Sequence, residues 1–184
     1  MKPALILIDI QNDYFPGGKM ELEGSPEASL QAAKLLERFR AKQLPLVHIQ
    51  HVSNRPGATF FVLGTEGMNI HANVAPRAGE TVLQKNFPNS FRGTTLLEHL
   101  RALGADHLVI AGMMTHMCVD ATTRAAFDLG FSCSLAHDAC ATRALAFGEE
   151  RVPAAQVHAA FVAALSGLYA KVQSAAEIAA EIAP

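Results

Sequence analysis

The sequence predicts an α/β fold: a three-layer, Rossmann-like arrangement of six parallel strands with helices on both faces. Three observations carry that reading. Short apolar runs alternate with longer stretches of helical periodicity, which calls for a parallel sheet with right-handed crossovers. The runs are continuous rather than alternating, as in residues 4–9 (ALILID) and 107–111 (HLVIA), so each reads as a strand buried on both faces. Half of the residues are hydrophobic and 17% are charged. The surplus of Ala, Leu and Val suits a doubly covered sheet, or an apolar surface used in self-association. At 184 residues the chain matches one domain, residues 1–184, able to bury about 70% of its unfolded surface without a disulfide staple or structural metal.

The elements follow in order. Residues 4–9 are the first strand, and Asn12 to Gly18 is a loop punctuated by Pro16-Gly17-Gly18. Pro26 to Lys42 is a helix with Ser25 as N-cap and Glu27 in its first turn, its apolar side made of Leu30, Ala33, Leu35 and Leu36. Leu44 to Val52 is the second strand. Ser53 to about Gly79 is a loop, and one this long in a compact domain is usually functional. Thr81 to Gln84 is a short strand, and Thr94 to Leu103 a helix closed by Gly104. His107 to Ala111 is a strand ended by Gly112, Val119 to Leu129 a helix closed by Gly130, and Phe131 to Ala136 a strand. Pro153 to Leu165 is a helix, Tyr169 to Val172 a last strand and Ala175 to Ile182 a terminal helix.

The formal net charge is -2, and no dense run of Lys and Arg marks a nucleic-acid footprint. No apolar run approaches the roughly 20 residues of a bilayer span. The N-terminal apolar run is short and ends in Asp9 without a small-residue cleavage site, so it reads as a strand rather than a signal peptide. The three cysteines, Cys118, Cys133 and Cys140, form no C-x-x-C pair and no even framework. A reducing, cytoplasmic compartment is the simplest reading. The expected partner is a small-molecule substrate, with no nucleic acid and no membrane.

Sheets of this kind bind ligands outside the carboxyl ends of their strands. Asp9 ends the first strand, His51 the second, Lys85 follows the third, and Cys118 lies just past the fourth at a helix start. The positive end of that helix and the Lys85 ammonium would lower the thiol pKa and favour a nucleophilic thiolate. The competing reading of Cys118 is a small buried hydrophobe. Asp9 at a buried strand end is costly unless paired; it either holds Lys85 or caps the amides of Gln11 and Asn12. Lys85 taken alone is a solvated surface lysine. Cys133, in a strand, and Cys140, in a loop, read as structural.

No H-E-x-x-H and no paired Cys/His spacing occurs among the eight histidines, and His48 and His51 point to opposite faces of their strand. No metal is expected. No G-x-G-x-x-G, Walker lysine or G-x-S-x-G elbow is present either, so no cofactor is expected. Gln11, Phe15, His51, Phe60, Phe61, Phe91, His116 and Met117 lie near strand ends or in the long loop and are the candidate substrate pocket. Phe60 and Phe61 read equally as loop packing or a contact with a neighbouring subunit. Arg55 reads as a surface arginine, with a substrate carboxylate as the alternative.

Three segments in order, ALILIDIQNDYF, QKNFPNSF and GMMTHMCVDATTRAAFDLGF, together resemble the isochorismatase-like cysteine hydrolase superfamily, over nearly the whole chain. This family includes nicotinamidases, N-carbamoylsarcosine amidases and ureidoacrylate amidohydrolases. The resemblance implies strand order 3-2-1-4-5-6 and a catalytic triad of Asp9, Lys85 and Cys118. It also implies a cis peptide between Met113 and Met114 that aims the amides of Met114 and Cys118 at one point, an oxyanion hole. Family members are commonly dimers or larger, which implies a homo-oligomer. Metal-binding nicotinamidases carry Asp-x-His at the end of the second strand; here the segment is Gln50-His51-Val52-Ser53, which speaks against that metal site and against nicotinamide. The cysteine itself speaks against vinyl-ether hydrolysis of isochorismate.

The expected activity is hydrolysis of a small amide or ureido C–N bond through a Cys118 thioester. The alternatives are a non-catalytic binding or scaffold protein and a thiol redox sensor on the same fold.

Overall fold

The computed structural model describes residues 1–182; the last two residues of the domain span read from the sequence lie outside them. Six strands form one sheet: β1 (Pro3–Ile8), β2 (Leu46–His51), β3 (Thr81–Lys85), β4 (His107–Met113), β5 (Ser132–Ala141) and, late in the chain, a three-residue strand Lys171–Gln173. Between β5 and that strand lie a hairpin, β6 (Leu145–Phe147) with β7 (Glu150–Val152), and helix α4 (Ala154–Leu165). The last sheet strand is therefore β8, and the order is β3-β2-β1-β4-β5-β8, every pairing parallel. This is the expected six-stranded order, with the sixth position filled by β8 because a hairpin intervenes.

Alternate residues of β1 feed two cores, as strand geometry requires. Leu5 and Leu7 pack with Val109 of β4 under helices α1 (Ser25–Ala41) and α5 (Ala175–Glu181), through Ala32, Leu35, Phe39 and Ile178. Ala4, Ile6 and Ile8 pack on the other face under α2 (Leu96–Ala102) and α3 (Asp120–Asp128), through Leu96, Leu100 and Ala126. Two details of α1 differ from expectation. Leu30 is 53% exposed, because its apolar stripe runs through Ala28, Ala32, Leu35, Leu36 and Phe39 instead. The N-cap is Gly24, with φ 74°, and Ser25 is already helical, its hydroxyl donating to the Leu22 carbonyl.

Cys140 lies in β5 rather than in a loop. The register between β4 and β5 slips between Ile110, opposite Leu135, and Gly112, opposite Cys140. The irregularity carries β5 past the polar pair His137-Asp138, which looks like a strand end in the sequence.

Sequence order reverses on the two sides of β1: β2 lies on one flank and β4 on the other. That makes the β1/β4 crevice the switch point at which such sheets hold ligands. The strands approach closely there. A Cβ on Gly112, whose φ is 138°, would stand 2.1 Å from the Ile8 carbonyl oxygen, so only glycine fits.

Candidate active site

Three strand ends converge at the crevice. Asp9 follows β1 in a left-handed conformation, φ 51°, which Asp tolerates better than most residues. Lys85 is the last residue of β3, two strands away. Cys118 sits in a single wide turn, Thr115–Val119, whose i→i+5 bonds lead straight into α3. Such turns are rare and concentrate at functional sites. The peptide between Met113 and Met114 is cis. The Met114 carbonyl then accepts from the amides of Met117 and Val119, which fixes the turn that carries the thiol.

The Lys85 ammonium is the hub. Its Nζ donates to Asp9 Oδ2 at 2.7 Å, to His51 Nδ1 at 3.1 Å and to Cys118 Sγ at 3.3 Å. An ammonium has three protons, so all three are used. The Lys85 and Asp9 side chains are fully buried. Burial pulls the Lys85 pKa down, but the Asp9 charge and the hydrogen bonds to Asp9 and Cys118 outweigh it and the net direction is up. His51 is held well below its ordinary value, at about 4, chiefly by burial. It is a neutral imidazole at neutral pH and accepts from Lys85 through Nδ1. One oxygen of Asp9, Oδ1, is buried without a hydrogen-bond partner.

The thiol departs from expectation. Burial, and after it the Asp9 charge, push the Cys118 pKa up; Lys85 offsets only part of this. The helix that follows does not reverse the sign, because Cys118 is only 3% exposed and desolvation of a thiolate dominates. The resting group is a thiol beside a carboxylate. Cys133 and Cys140 are also pushed up, each to about 12, by burial, and donate to the carbonyls of Phe131 and Ala136.

Asp9, His51 and Cys118 bring an oxygen, a nitrogen and a sulfur within 4.8 Å of one another, a grouping that would suit a metal ion by composition. Lys85 Nζ bonds all three, so the cationic position among them is held by an ammonium.

A cavity of about 270 Å³ opens on Cys118. His51, Phe60, Phe61, Met114 and Met117, all candidates from the sequence, line it. Four other candidates are elsewhere. Gln11 is fully buried: its Nε2 donates to the carbonyls of His51 and Met68 and its Oε1 accepts from the His51 amide, so it ties β1 to the end of β2 from behind. Phe15 stacks on His71 at 3.6 Å, and Phe91 packs against Phe131 beneath α2 and α3. His116 turns away to Thr142 through Nδ1 and to the edge of Phe161.

Tyr14 was not among the expected residues, and it is central. It lines the cavity, lies edge-on to Phe61 at 4.6 Å, and its phenol is held neutral chiefly by burial. Asn86 and Pro88, just after Lys85, also line the cavity, with Asn86 anchored through Nδ2 to the Val52 carbonyl. The loop wall is pinned by Asp13: its Oδ2 accepts from the Phe61 amide at 2.7 Å and its Oδ1 from the Lys19 amide at 3.1 Å.

With that geometry in view, the comparisons are decisive for family. The family model described as the Isochorismatase domain matches residues 3–177. The chain belongs to the isochorismatase family. The family protein YddQ of Bacillus subtilis is 49% identical over 174 residues, covering 95% of this chain and 97% of that one. The crystal structure of a protein assigned as an isochorismatase hydrolase from Oleispira antarctica superposes with a TM-score of 0.94 at 52% identity, covering 97% of this chain and 96% of that chain. The maleamate amidohydrolase of Pseudomonas putida is 33% identical over 144 residues, 71% of this chain and 68% of that one. The protein is thus a hydrolase of the isochorismatase family. Within that family frame, the Asp9, Lys85 and Cys118 side chains occupy one contiguous buried cluster at the floor of the cavity.

Proposed function

We propose that this isochorismatase-family hydrolase cleaves a C–N amide or ureido bond of a small molecule, with Cys118 as nucleophile and a thioester intermediate. One observation carries the reading: an ammonium bridges Asp9, His51 and Cys118 beneath a cavity, a carboxylate oxygen of Asp9 lies within 4.8 Å of the thiol sulfur, and Asp9 Oδ1 has no hydrogen-bond partner. A raised thiol pKa fits a nucleophile deprotonated only as it attacks, with its base adjacent.

In the first step Asp9 takes the Cys118 proton as sulfur bonds to the carbonyl carbon. The carbonyl oxygen gains the charge and is held by the amides of Met114 and Cys118. Collapse of that adduct breaks the C–N bond, and Asp9 returns the proton to the departing nitrogen. Water then attacks the thioester; its proton goes to Asp9, its hydroxyl to carbon, and the S–C bond breaks. The proton on Asp9 passes to the sulfur and the resting state is restored. Lys85 stays an ammonium throughout and stabilises sulfur whenever it is anionic. The residues bind and move protons with no cofactor called for. The same reading takes the chain as a single catalytic domain working as a cytoplasmic homo-oligomer. The maleamate amidohydrolase among its relatives supports amide chemistry in particular.

A panel of primary amides, ureas and carbamoyl compounds, read by ammonia release with Cys118→Ser as blank, tests this. Release from at least one class, absent in the blank, and a thioester adduct on the Cys118 peptide by mass spectrometry are expected. Release that persists in Cys118→Ser overturns it.

A further inference from the structure

The turn that carries Cys118 is held by a histidine that lies outside the cavity. Thr115 opens the turn and is fully buried, and Met114 before it offers no side-chain cap. The Thr115 hydroxyl meets His158 Nδ1, on α4, at 2.9 Å. Among the described residues that hydroxyl has no other hydrogen-bond partner. The next residue, His116, is tied to Thr142, just after β5.

The isolation of Thr115 fixes the direction of its bond. A buried hydroxyl proton needs an acceptor, and His158 is the one at hand. Thr115 therefore donates, Nδ1 accepts, and the imidazole proton sits on Nε2. Burial, and after it the charge of His137, hold His158 below its ordinary value, so the ring is neutral at neutral pH and Nδ1 keeps its lone pair.

His158 touches nothing that reacts. It is not part of the cavity over Cys118 and lines a separate hollow with Glu23, His137, Asp138, Cys140 and Thr142. Its reach to the chemistry runs through Thr115, which shares one wide turn with the nucleophile. Losing the tie strands a buried donor and frees the start of that turn. A displacement of about 1 Å at a reacting group can cost about 100-fold in rate, even when its cause lies far from the chemistry.

We propose that His158 is a positioning residue: by accepting the Thr115 hydroxyl proton, it holds the nucleophile turn in the place that sets Cys118 Sγ beside Lys85 and beneath the cavity. The effect on turnover rests on the amide-hydrolase reading above; the effect on the thiol itself does not.

The test compares His158→Leu, which removes the acceptor, with His158→Asn, whose Oδ1 restores one at a similar reach. For any amide accepted in the ammonia-release panel, His158→Leu should lower kcat about 10- to 100-fold and leave KM within about 3-fold, and His158→Asn should recover most of the loss. Thr115→Val removes the same bond from the other side with little change of shape. It should reproduce the loss, and the Thr115→Val, His158→Leu double variant should be no worse than either alone. The thiol is followed separately, by iodoacetamide labelling of the Cys118 peptide read by mass spectrometry. Labelling should be at least about 3-fold faster in His158→Leu and Thr115→Val than in the parent or His158→Asn, because a loosened turn lets water reach a buried sulfur. Parent values of kcat and labelling in His158→Leu, an Asn variant as impaired as the Leu variant, a change in KM alone, or additive losses in the double variant overturn the proposal. If no amide is turned over, the labelling pattern decides: its presence keeps the positioning role and removes the hydrolytic reading, and equal rates remove the positioning role.

Discussion

Two charge clusters, one partly buried and one fully buried, lie at opposite ends of β2 and β3, and they differ in what they leave open. At the start of β3, Glu80 binds Arg40 Nε and Nη2, His48 Nε2 and the Arg77 amide, all between 2.7 and 3.0 Å. At the end of β3, Lys85 binds Asp9, His51 and Cys118. Each has an acid, a cation and a histidine of β2. In the first, both carboxylate oxygens are occupied, and the atom without a partner is a ring nitrogen of a neutral histidine, His48 Nδ1. In the second, the unpartnered atom is a carboxylate oxygen beside a thiol and a cavity. The Glu80 cluster is a clamp between α1, β2 and the return of the long loop. The Lys85 cluster keeps a buried acceptor without a partner, next to the thiol that opens on the cavity. Buried ionic groups of similar make-up thus divide into structure and chemistry by their residual valence, not by their residue types.

The contrast breaks most sharply at the thiol. Cys118→Ala should lower kcat/KM for any accepted amide by at least about 10⁴-fold while far-UV circular dichroism stays native. A variant that keeps even a tenth of the activity would move the nucleophile elsewhere. Next comes Lys85→Met, which leaves the Asp9 carboxylate buried and unpaired. It should cost about 3–5 kcal/mol in urea unfolding as well as abolishing turnover. A stability unchanged from the parent would mean that the Lys85–Asp9 pair contributes nothing to holding the strand ends together.

The clamp should behave in the opposite way, losing stability and keeping the chemistry. Glu80 titrates at about 2 instead of 4.5, mainly through its bonds to Arg40. A depressed carboxylate contributes stability that is fully present above 4.5 and is lost as pH falls towards about 2. Glu80→Gln should therefore remove roughly 2 kcal/mol at neutral pH and flatten the acid limb of a urea-midpoint curve in that window. His51 gives the smallest effect, in the adjoining window. Its native pKa is about 4, below the ordinary 6.5, so the unfolded chain takes up a proton first as pH falls. Stability should drop by on the order of 1 kcal/mol between pH 6.5 and 4, and His51→Gln should remove that slope. If the two variants flattened the same window, the clusters would be coupled through β2 rather than separate.

Most of the reactive cluster was legible because its members end apolar runs. Asp9 closes ALILI, Lys85 follows TVLQ, and Cys118 trails HLVIAGM, and a parallel sheet brings such ends to one edge. The pocket was legible only in part, because nearness along the chain does not say which way a side chain turns. Tyr14 and Phe15 are neighbours; one lines the cavity and the other stacks on His71 behind it. Gln11 was placed at the right strand end but on its buried side. The hairpin of β6 and β7 left no signal, since three-residue strands are too short to show a period. The sign of the Cys118 shift depends on how far the sulfur is removed from water, which only the packed structure fixes.

Asp13 has a consequence for how the molecule selects. It holds Phe61 at φ 53°, a conformation that a bulky side chain rarely takes, and leaves no room beside it: a Cβ on Gly67 would fall 2.2 Å from the Asp13 carboxylate. The long loop is fastened to the body from two directions before any ligand arrives. Two of the contacts that shape the wall are thus made by the protein itself, with no ligand needed to form them. On the reading proposed above, residues 53–61 are where the shape met by a substrate can be altered without moving the thiol beneath.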